Sequence, residues 1–165
     1  MRSCDSSRNL GEDRIAYEFT LTCHLPATPV EVYDAWLDSR RHSQMTGGAA
    51  KMSRRVDAAV SAWDGYITGK NLELTPGVRI KQSWRTSEFP DDHPDSTIVV
   101  SLAPLKSGCE LTLKHTGVPD GQTSYELEGW KSQYFLPMAD YFAKLAGKSA
   151  EVGRGPRGPT LRRGR

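Results

Sequence analysis

An alternating apolar and polar segment comes first in the patterned part of the chain. In IAYEFTLTCH, residues 15–24, apolar side chains occupy every second position, which is typical of a strand with one buried face. Thr28, Pro29 and Glu31 then read as a helix N-cap, a proline at the first helical position and a capping-box acid. We therefore predict a helix after Thr28 and a second short helix in the segment RRHSQM, which ends before Gly47.

From about residue 51 the pattern changes to short alternating runs that are separated by turn residues. Asp64-Gly65 and Pro76-Gly77 are turn dipeptides of this kind, and the acidic DDHPD at 91–95 marks another hairpin tip. We predict a meander of antiparallel strands, about six to seven in total with the first one. The inward-facing sets are Tyr66, Thr68, Leu72 and Leu74; Val78, Ile80, Gln82 and Trp84; Ile98, Val100 and Leu102; and Cys109, Leu111, Leu113 and His115.

After Pro119 the apolar period returns to that of a helix. Pro137 lies inside this helix without a backbone donor, so we expect a kink that costs up to roughly 3 kcal/mol unless packing offsets it. Gly129 is expected to allow a close approach to the sheet or to a loop. The stripe that faces the sheet consists of Trp130, Tyr134, Met138 and Tyr141.

This order of elements predicts an α+β fold. The apolar face of an antiparallel sheet must be covered, and the last helix is the long amphipathic element available for this. We expect the sheet to curve around that helix and to leave a cleft beside it. The predicted domain spans 15–145, with a flexible N-terminus at 1–14 and a disordered basic tail at 146–165.

The order and several local strings resemble the helix-grip superfamily related to the START and Bet v 1 lipid-binding proteins. More narrowly, they resemble the domain named for the activator of heat-shock-protein-90 ATPase. The resemblance covers about residues 15–145 and implies a curved sheet that grips a C-terminal helix. It does not fix an activity, because the superfamily includes ligand carriers, cyclases, hydroxylase components and co-chaperone domains. It rests on SAWDGYITGKNLELTPG (61–77), IKQSWRTSEFP (80–90), CELTLKHTGVP (109–119) and GWKSQYFLPMADYF (129–142).

Composition and charge narrow the choice of partners. The 165 residues are 37% hydrophobic and 25% charged, as in one soluble domain, and no apolar run is long enough for a membrane span or a signal peptide. The segment from Gly147 to the end contains six basic residues and one acidic residue, so its net charge is +5. Since the whole chain has a net charge of +2, the part before Gly147 is near −3. We expect no nucleic acid, no membrane and a cytoplasmic location, and Cys4, Cys23 and Cys109 are expected to be reduced.

No catalytic constellation, metal site or cofactor motif is predicted. The four histidines lie on different elements, and the adjacent Cys23 and His24 point to opposite faces of a strand. Two alternatives stay open for His115 and Gln82, namely a ligand contact or a bond to neighbouring groups of the protein. The tip at 91–95 could bind a cation through its oxygens or serve as a polar turn.

The leading hypothesis is a non-enzymatic binding protein with a cavity for a hydrophobic or amphipathic small molecule. The resemblance implies the alternative, a co-chaperone-like regulator of a heat-shock-protein-90-type ATPase. Such a regulator could act in a stress response. An enzyme that uses His115 for acid-base chemistry is a third reading, which lacks a partner carboxylate. The candidate ligand-binding residues are Gln82, Trp84, His115, Trp130, Tyr134, Met138 and Tyr141.

Overall fold

The computed structural model describes residues 16–154, and both the segment 1–15 and the segment 155–165 lie outside the described residues. Cys4, the predicted N-terminus at 1–14 and the far part of the predicted basic tail therefore lie outside as well. In chain order the elements are β1 (Ala16–Leu25), α1 (Pro29–Leu37), α2 (Ser39–Thr46), β2 (Ala59–Ala62), β3 (Ile67–Thr75), β4 (Arg79–Thr86), β5 (Ser96–Leu105), β6 (Gly108–Pro119), α3 (Thr123–Gly129), a π-helical segment (Trp130–Phe135) and α4 (Leu136–Arg154).

The described strands form one six-stranded sheet in the order β1-β6-β5-β4-β3-β2, in which every neighbouring pair is antiparallel. Burial alternates along β4 and β5, where Ile80 pairs with Val100 and both side chains are fully buried. The helices pack on this buried face. The α+β helix-grip fold predicted from the sequence is confirmed.

Capping residues explain where the first two helices begin and end. The Thr28 hydroxyl accepts from the N–H of Glu31 while the Glu31 carboxylate accepts from the N–H of Thr28, so the predicted capping box is present. Asp38 ends α1 and caps α2 through a 2.8 Å bond from the N–H of Arg41. Gly47 ends α2 with a φ of 92°, a conformation that glycine adopts without steric cost.

The C-terminal helix differs from the regular helix that the apolar stripe predicts. Residues 130–135 are π-helical, and the N–H of Leu136 donates to the carbonyl of Lys131, five residues back. This wider turn comes directly before Pro137, which has no N–H to donate, so the irregular backbone is placed where the α-helical pattern would be broken anyway. The helix then continues to Arg154, past the predicted domain boundary at residue 145.

Three local expectations are wrong. On β3 the buried positions are Ile67 and Asn71, whereas Thr68 of the predicted inward-facing set is exposed. Val78 belongs to the turn before β4 rather than to its inward-facing set, and its side chain is 51% exposed. Gly129 makes no close approach, because a Cβ built there would meet no atom within 4 Å.

Cys23 and Cys109 are free thiols. Among the helices of residues 16–154, none is both long and apolar enough to cross a bilayer.

Candidate functional site

His115 is fully buried between the sheet and the C-terminal helix, and both of its ring nitrogens are engaged. The indole Nε1 of Trp130 donates to Nδ1 of His115 at 3.0 Å. Since an indole nitrogen can only donate, the imidazole carries its proton on Nε2, which donates to the Ser96 hydroxyl at 2.8 Å. That hydroxyl in turn donates to the carbonyl of Trp84 at 2.8 Å. Burial lowers the pKa of His115 to about 3, so the ring is neutral.

A second buried imidazole, His42, fixes the hydroxyl of Tyr134. Nδ1 of His42 lies 2.8 Å from the carbonyl of Trp36 and must donate to it, which leaves Nε2 to accept from the Tyr134 hydroxyl at 2.9 Å. Burial lowers the pKa of His42 to about 4, against a smaller opposing effect of the bond to Trp36, and burial raises the pKa of Tyr134. The Tyr134 hydroxyl therefore donates its proton to a group inside the protein and is not free to donate to a ligand.

Gln82 belongs to a buried chain of side-chain amides that connects α1 to the sheet. The indole Nε1 of Trp36 donates to Oε1 of Gln82 at 3.1 Å, and Nε2 of Gln82 donates to Oδ1 of Asn71 at 2.8 Å. The Asn71 amide then donates to the carbonyls of Ser53 and Arg55, each at 2.9 Å. Every polar atom of the Gln82 amide thus has a partner within the protein.

Aromatic rings fill the space between these two hydrogen-bonded groups. Trp130 lies 4.7 Å from Trp84 and 4.8 Å from Tyr134 between ring centroids. Trp36 stacks on Tyr134 at 5.2 Å. The centre of the grip is therefore packed, as expected of a protein interior.

An apolar cleft of about 560 Å³ opens at one end of this aromatic cluster. We call it the Glu126 cleft. It lies between the β2–β3 turn, the end of β4 and the first part of the C-terminal helix. Its lining residues are Trp63, Tyr66 and Ile67 from the turn and β3, Trp84 and Thr86 from β4, and Glu126, Glu128, Gly129, Trp130, Ser132, Gln133 and Tyr134 from α3 and the π-helical segment.

Three of the seven candidate ligand-binding residues line the same cleft, and the other four do not line it. Trp84, Trp130 and Tyr134 line the Glu126 cleft. Gln82, His115 and Met138 are buried, and they are not part of its lining. Tyr141 lines a different cleft of about 580 Å³ together with Arg40 and Arg41.

Backbone strain holds Trp63 at the edge of the Glu126 cleft. Trp63 has a φ of 53° and Asp64 a φ of 57°, a left-handed conformation that is uncommon for residues other than glycine. Gly48 makes room for the ring from behind, since a Cβ at that position would lie 2.3 Å from Trp63 Cε3. The tight turn and Gly48 together place an indole ring in the wall of the cleft.

Glu126 gives this cleft a polar wall. Its side chain is 5% exposed, and Oε2 has no hydrogen-bond partner among the described residues. Burial raises the pKa of Glu126 to about 7, although the nearby indole N–H of Trp84 acts in the opposite direction. That indole nitrogen makes no well-formed hydrogen bond within the described residues either. The cleft thus contains a carboxyl group that can be neutral or charged near neutral pH.

Sequence reasoning missed three residues of this arrangement. Glu126 precedes Trp130 by four residues, so extending the apolar stripe one helical turn backwards would have placed an acid on the buried face. The position of Trp63 depends on the left-handed backbone of the turn, which no local pattern of residue types shows. His42 gave no signal, because nothing in RRHSQM indicates a contact with Tyr134.

The described residues contain no group of three or more histidine, cysteine, aspartate or glutamate side chains that could hold a metal ion. At the 91–95 tip, the place of a cation is taken by the guanidinium of Arg85. It donates to the carbonyls of Pro90, Asp91 and His93 and to the carboxylate of Asp95, at 2.6 to 3.3 Å. The turn is therefore stabilised from within the protein.

Comparison with known families gives one match that covers more than two thirds of the chain. The model described as "Activator of Hsp90 ATPase homolog 1-like protein" matches residues 26–143. Among curated proteins, the Dictyostelium discoideum activator of 90 kDa heat shock protein ATPase homolog is 23% identical over 104 residues, which are 63% of this chain and 27% of that protein. The Mus musculus homolog 2 is 30% identical over 73 residues, or 44% of this chain and 22% of that protein.

Solved structures share the fold. A Plasmodium falciparum protein described as an HSP90 activator superposes with a TM-score of 0.64 at 22% identity, over 72% of this chain and 90% of that one. A Chromobacterium violaceum protein superposes with a TM-score of 0.62 at 28% identity, over 76% of this chain and 96% of that one. The matched segments cover only 22 to 33% of the length of the curated relatives.

Glu126→Gln is expected to stabilise the protein at alkaline pH. The pKa of Glu126 is raised from 4.5 to about 7 in the folded state, so the stability linked to its proton is present below pH 4.5 and is lost as the pH rises through 7. Glutamine keeps the shape of the neutral acid and cannot ionise. Urea unfolding should show the variant more stable by roughly 1–3 kcal/mol at about pH 8, with the difference vanishing near pH 4.

Glu128→Gln is the matched control, because Glu128 lies two residues further along α3 and is exposed. It should change the free energy of unfolding by less than about 0.5 kcal/mol at either pH. Equal stability of the Glu126→Gln variant and the unmodified protein at pH 8 would mean that the Glu126 carboxylate is well solvated.

Proposed function

The chain belongs to the family of activator of Hsp90 ATPase homolog 1-like proteins, and we propose that it is a binding protein whose Glu126 cleft accepts an amphipathic small molecule. One observation carries this proposal. The wall of an otherwise apolar cleft contains a buried carboxyl oxygen, Oε2 of Glu126, that lacks a well-formed hydrogen bond among the described residues, while the indole N–H of Trp84 lies close enough to act on the same carboxyl group.

The energetics of unpaired polar groups support a ligand at this place. A buried donor or acceptor without a partner costs about 1–3 kcal/mol, and a ligand that supplies the partner recovers this cost on binding. A cleft of about 560 Å³ lies within the range of small-molecule sites, which combine apolar walls with a few polar groups. A molecule with an aromatic or alkyl body and one polar group fits both features.

Five of the seven candidate residues take one of two roles under this proposal. Trp84, Trp130 and Tyr134 contact the ligand through their rings. His115 and Gln82 are positioning residues, since they hold Trp130 and Trp36 through the indole nitrogens. No turnover is assigned to His115, because both of its nitrogens are occupied by Trp130 and Ser96.

Gly129→Leu should strongly weaken binding in the Glu126 cleft without damaging the fold. Gly129 lines the cleft in a helical conformation, and a Cβ there meets nothing within 4 Å, so a leucine side chain enters the open space. Leucine is also a better helix former than glycine by roughly 1 kcal/mol, so thermal stability should not fall. Binding is followed by the fluorescence of the neutral probe N-phenyl-1-naphthylamine, and the variant should bind at least about tenfold more weakly.

Gly147→Leu supplies the matched control, because Gly147 is also helical and has open space at its Cβ, but it does not line the Glu126 cleft. It should bind the probe like the unmodified protein. Equal binding by all three proteins would place the probe elsewhere and contradict the assignment of this cleft.

Regulation of an Hsp90-type ATPase is the second candidate function. It is favoured by the family match over residues 26–143 and by the names of the longer curated relatives. The chain corresponds to a part of those relatives, so their activity comes to it here as a proposal, and a role in the stress response would follow from the same activity.

Under this second candidate, the protein should stimulate the ATPase of the Hsp90-type chaperone from the same organism. ATP hydrolysis is measured with the chaperone alone and with increasing excess of this protein. The Gly129→Leu variant should stimulate as well as the unmodified protein, because docking would use the surface rather than the cleft. Unchanged hydrolysis at large excess would exclude the regulatory role and leave small-molecule binding untouched.

A further inference from the structure

We propose that the Glu126 cleft selects organic cations, namely amines or quaternary ammonium compounds with an apolar body. This inference rests on the proposed function, which it deepens by naming the class of ligand. It follows from three features of the cleft: its aromatic walls, the sign of its charges and the burial of one carboxyl group.

Aromatic rings form most of the apolar wall. Five aromatic side chains line the cleft, and the rings of Trp84 and Trp130 lie 4.7 Å apart with an angle of 32° between their planes. The face of an aromatic ring carries negative electrostatic potential, so cations are attracted to it, and tryptophan gives the strongest effect. Several rings around one apolar space are a common way to bind quaternary ammonium groups. The five side chains are Trp63, Tyr66, Trp84, Trp130 and Tyr134.

The charges at the cleft have one sign. Glu126 and Glu128 line it, whereas no lysine, arginine or histidine of the described residues does. The cleft of about 580 Å³ that Tyr141 lines differs in this respect, because its lining includes Arg40 and Arg41 together with Glu31. An anionic ligand in the Glu126 cleft would meet repulsion without a compensating cation, while a cationic ligand would meet an opposite charge.

The buried carboxyl group supplies the specific contact. Oε2 of Glu126 has no hydrogen-bond partner among the described residues, and the side chain is 95% buried. A bound ammonium group pairs this oxygen, either through an N–H or through the charge alone, and the burial of the carboxyl group reduces screening by water. The contact is therefore stronger than that of a surface carboxylate.

The protonation state of Glu126 links this contact to pH. Burial raises the pKa of Glu126 to about 7, and a bound cation favours the deprotonated form. The other titratable groups that line the cleft are Glu128, Tyr66 and Tyr134, and the strand side contributes Ile67, Trp84 and Thr86, which do not titrate. Cation binding is thus expected to tighten from about pH 6 to about pH 8 as Glu126 loses its proton.

A matched pair of probes tests the inference. Phenyltrimethylammonium and tert-butylbenzene have the same shape, and they differ in whether the central atom of the branched group is a charged nitrogen or a neutral carbon. Both are titrated into the full chain while backbone amide and tryptophan indole NMR signals are followed. The expected result is at least about tenfold tighter binding of phenyltrimethylammonium, with shifts at Trp84, Gly129 and Trp130.

Glu126→Gln should remove most of this preference and its pH dependence while the protein stays folded. Glu18→Gln, at an exposed position on β1, is the control variant and should leave both unchanged. Retention of the full preference by Glu126→Gln would overturn the assigned role of the carboxyl group.

The outcomes separate the inference from the proposed function. Equal binding of both probes at the cleft would overturn the cation preference and leave small-molecule binding in place. Tighter binding of benzenesulfonate, an anion of similar size, would overturn it as well. Shifts from none of the three probes, together with no N-phenyl-1-naphthylamine binding, would overturn both.

Discussion

The buried indole nitrogens of the interior need acceptors, and the rest of the structure depends on how this need is met. Trp130 on the C-terminal helix donates to His115 on β6, and Trp36 on α1 donates to Gln82 on β4. Each bond fixes a helix against the sheet and leaves the acceptor group in one orientation. An unpaired buried donor would cost about 1–3 kcal/mol, so any shift of a helix that breaks one of these bonds is strongly disfavoured.

The same pairing explains why the site lies at the end of the grip rather than at its centre. His115 and Tyr134 look like ligand contacts in the sequence, but their polar atoms are used by Trp130, Ser96 and His42. Pairing is incomplete beside the open cleft, since Oε2 of Glu126 has no well-formed hydrogen bond within residues 16–154. Under the proposed function, the ligand therefore binds at this cleft.

The sequence was sufficient for the fold and only partly sufficient for the site. Alternation along residues 15–24 and the capping box at Thr28 and Glu31 are local signals, and the elements they predict are present. Pro137 predicts an irregular helix, but the position and type of the π-helical segment depend on packing against the sheet. Which indole meets which acceptor depends on contacts between residues far apart in the chain, such as Trp36 and Gln82, 46 positions apart. No local pattern predicts such contacts.

The central claim is that the neutral imidazoles of His42 and His115 accept the hydrogen bonds of Tyr134 and Trp130 in the interior, so that a ligand binds in the Glu126 cleft instead. Nitrogen-15 NMR of the histidine side chains tests it most directly. The account predicts opposite tautomers, with the proton on Nε2 in His115 and on Nδ1 in His42, and no protonation of either ring down to about pH 5. A protonated His115 near pH 6, or a change of its tautomer when a ligand is added, would contradict the account.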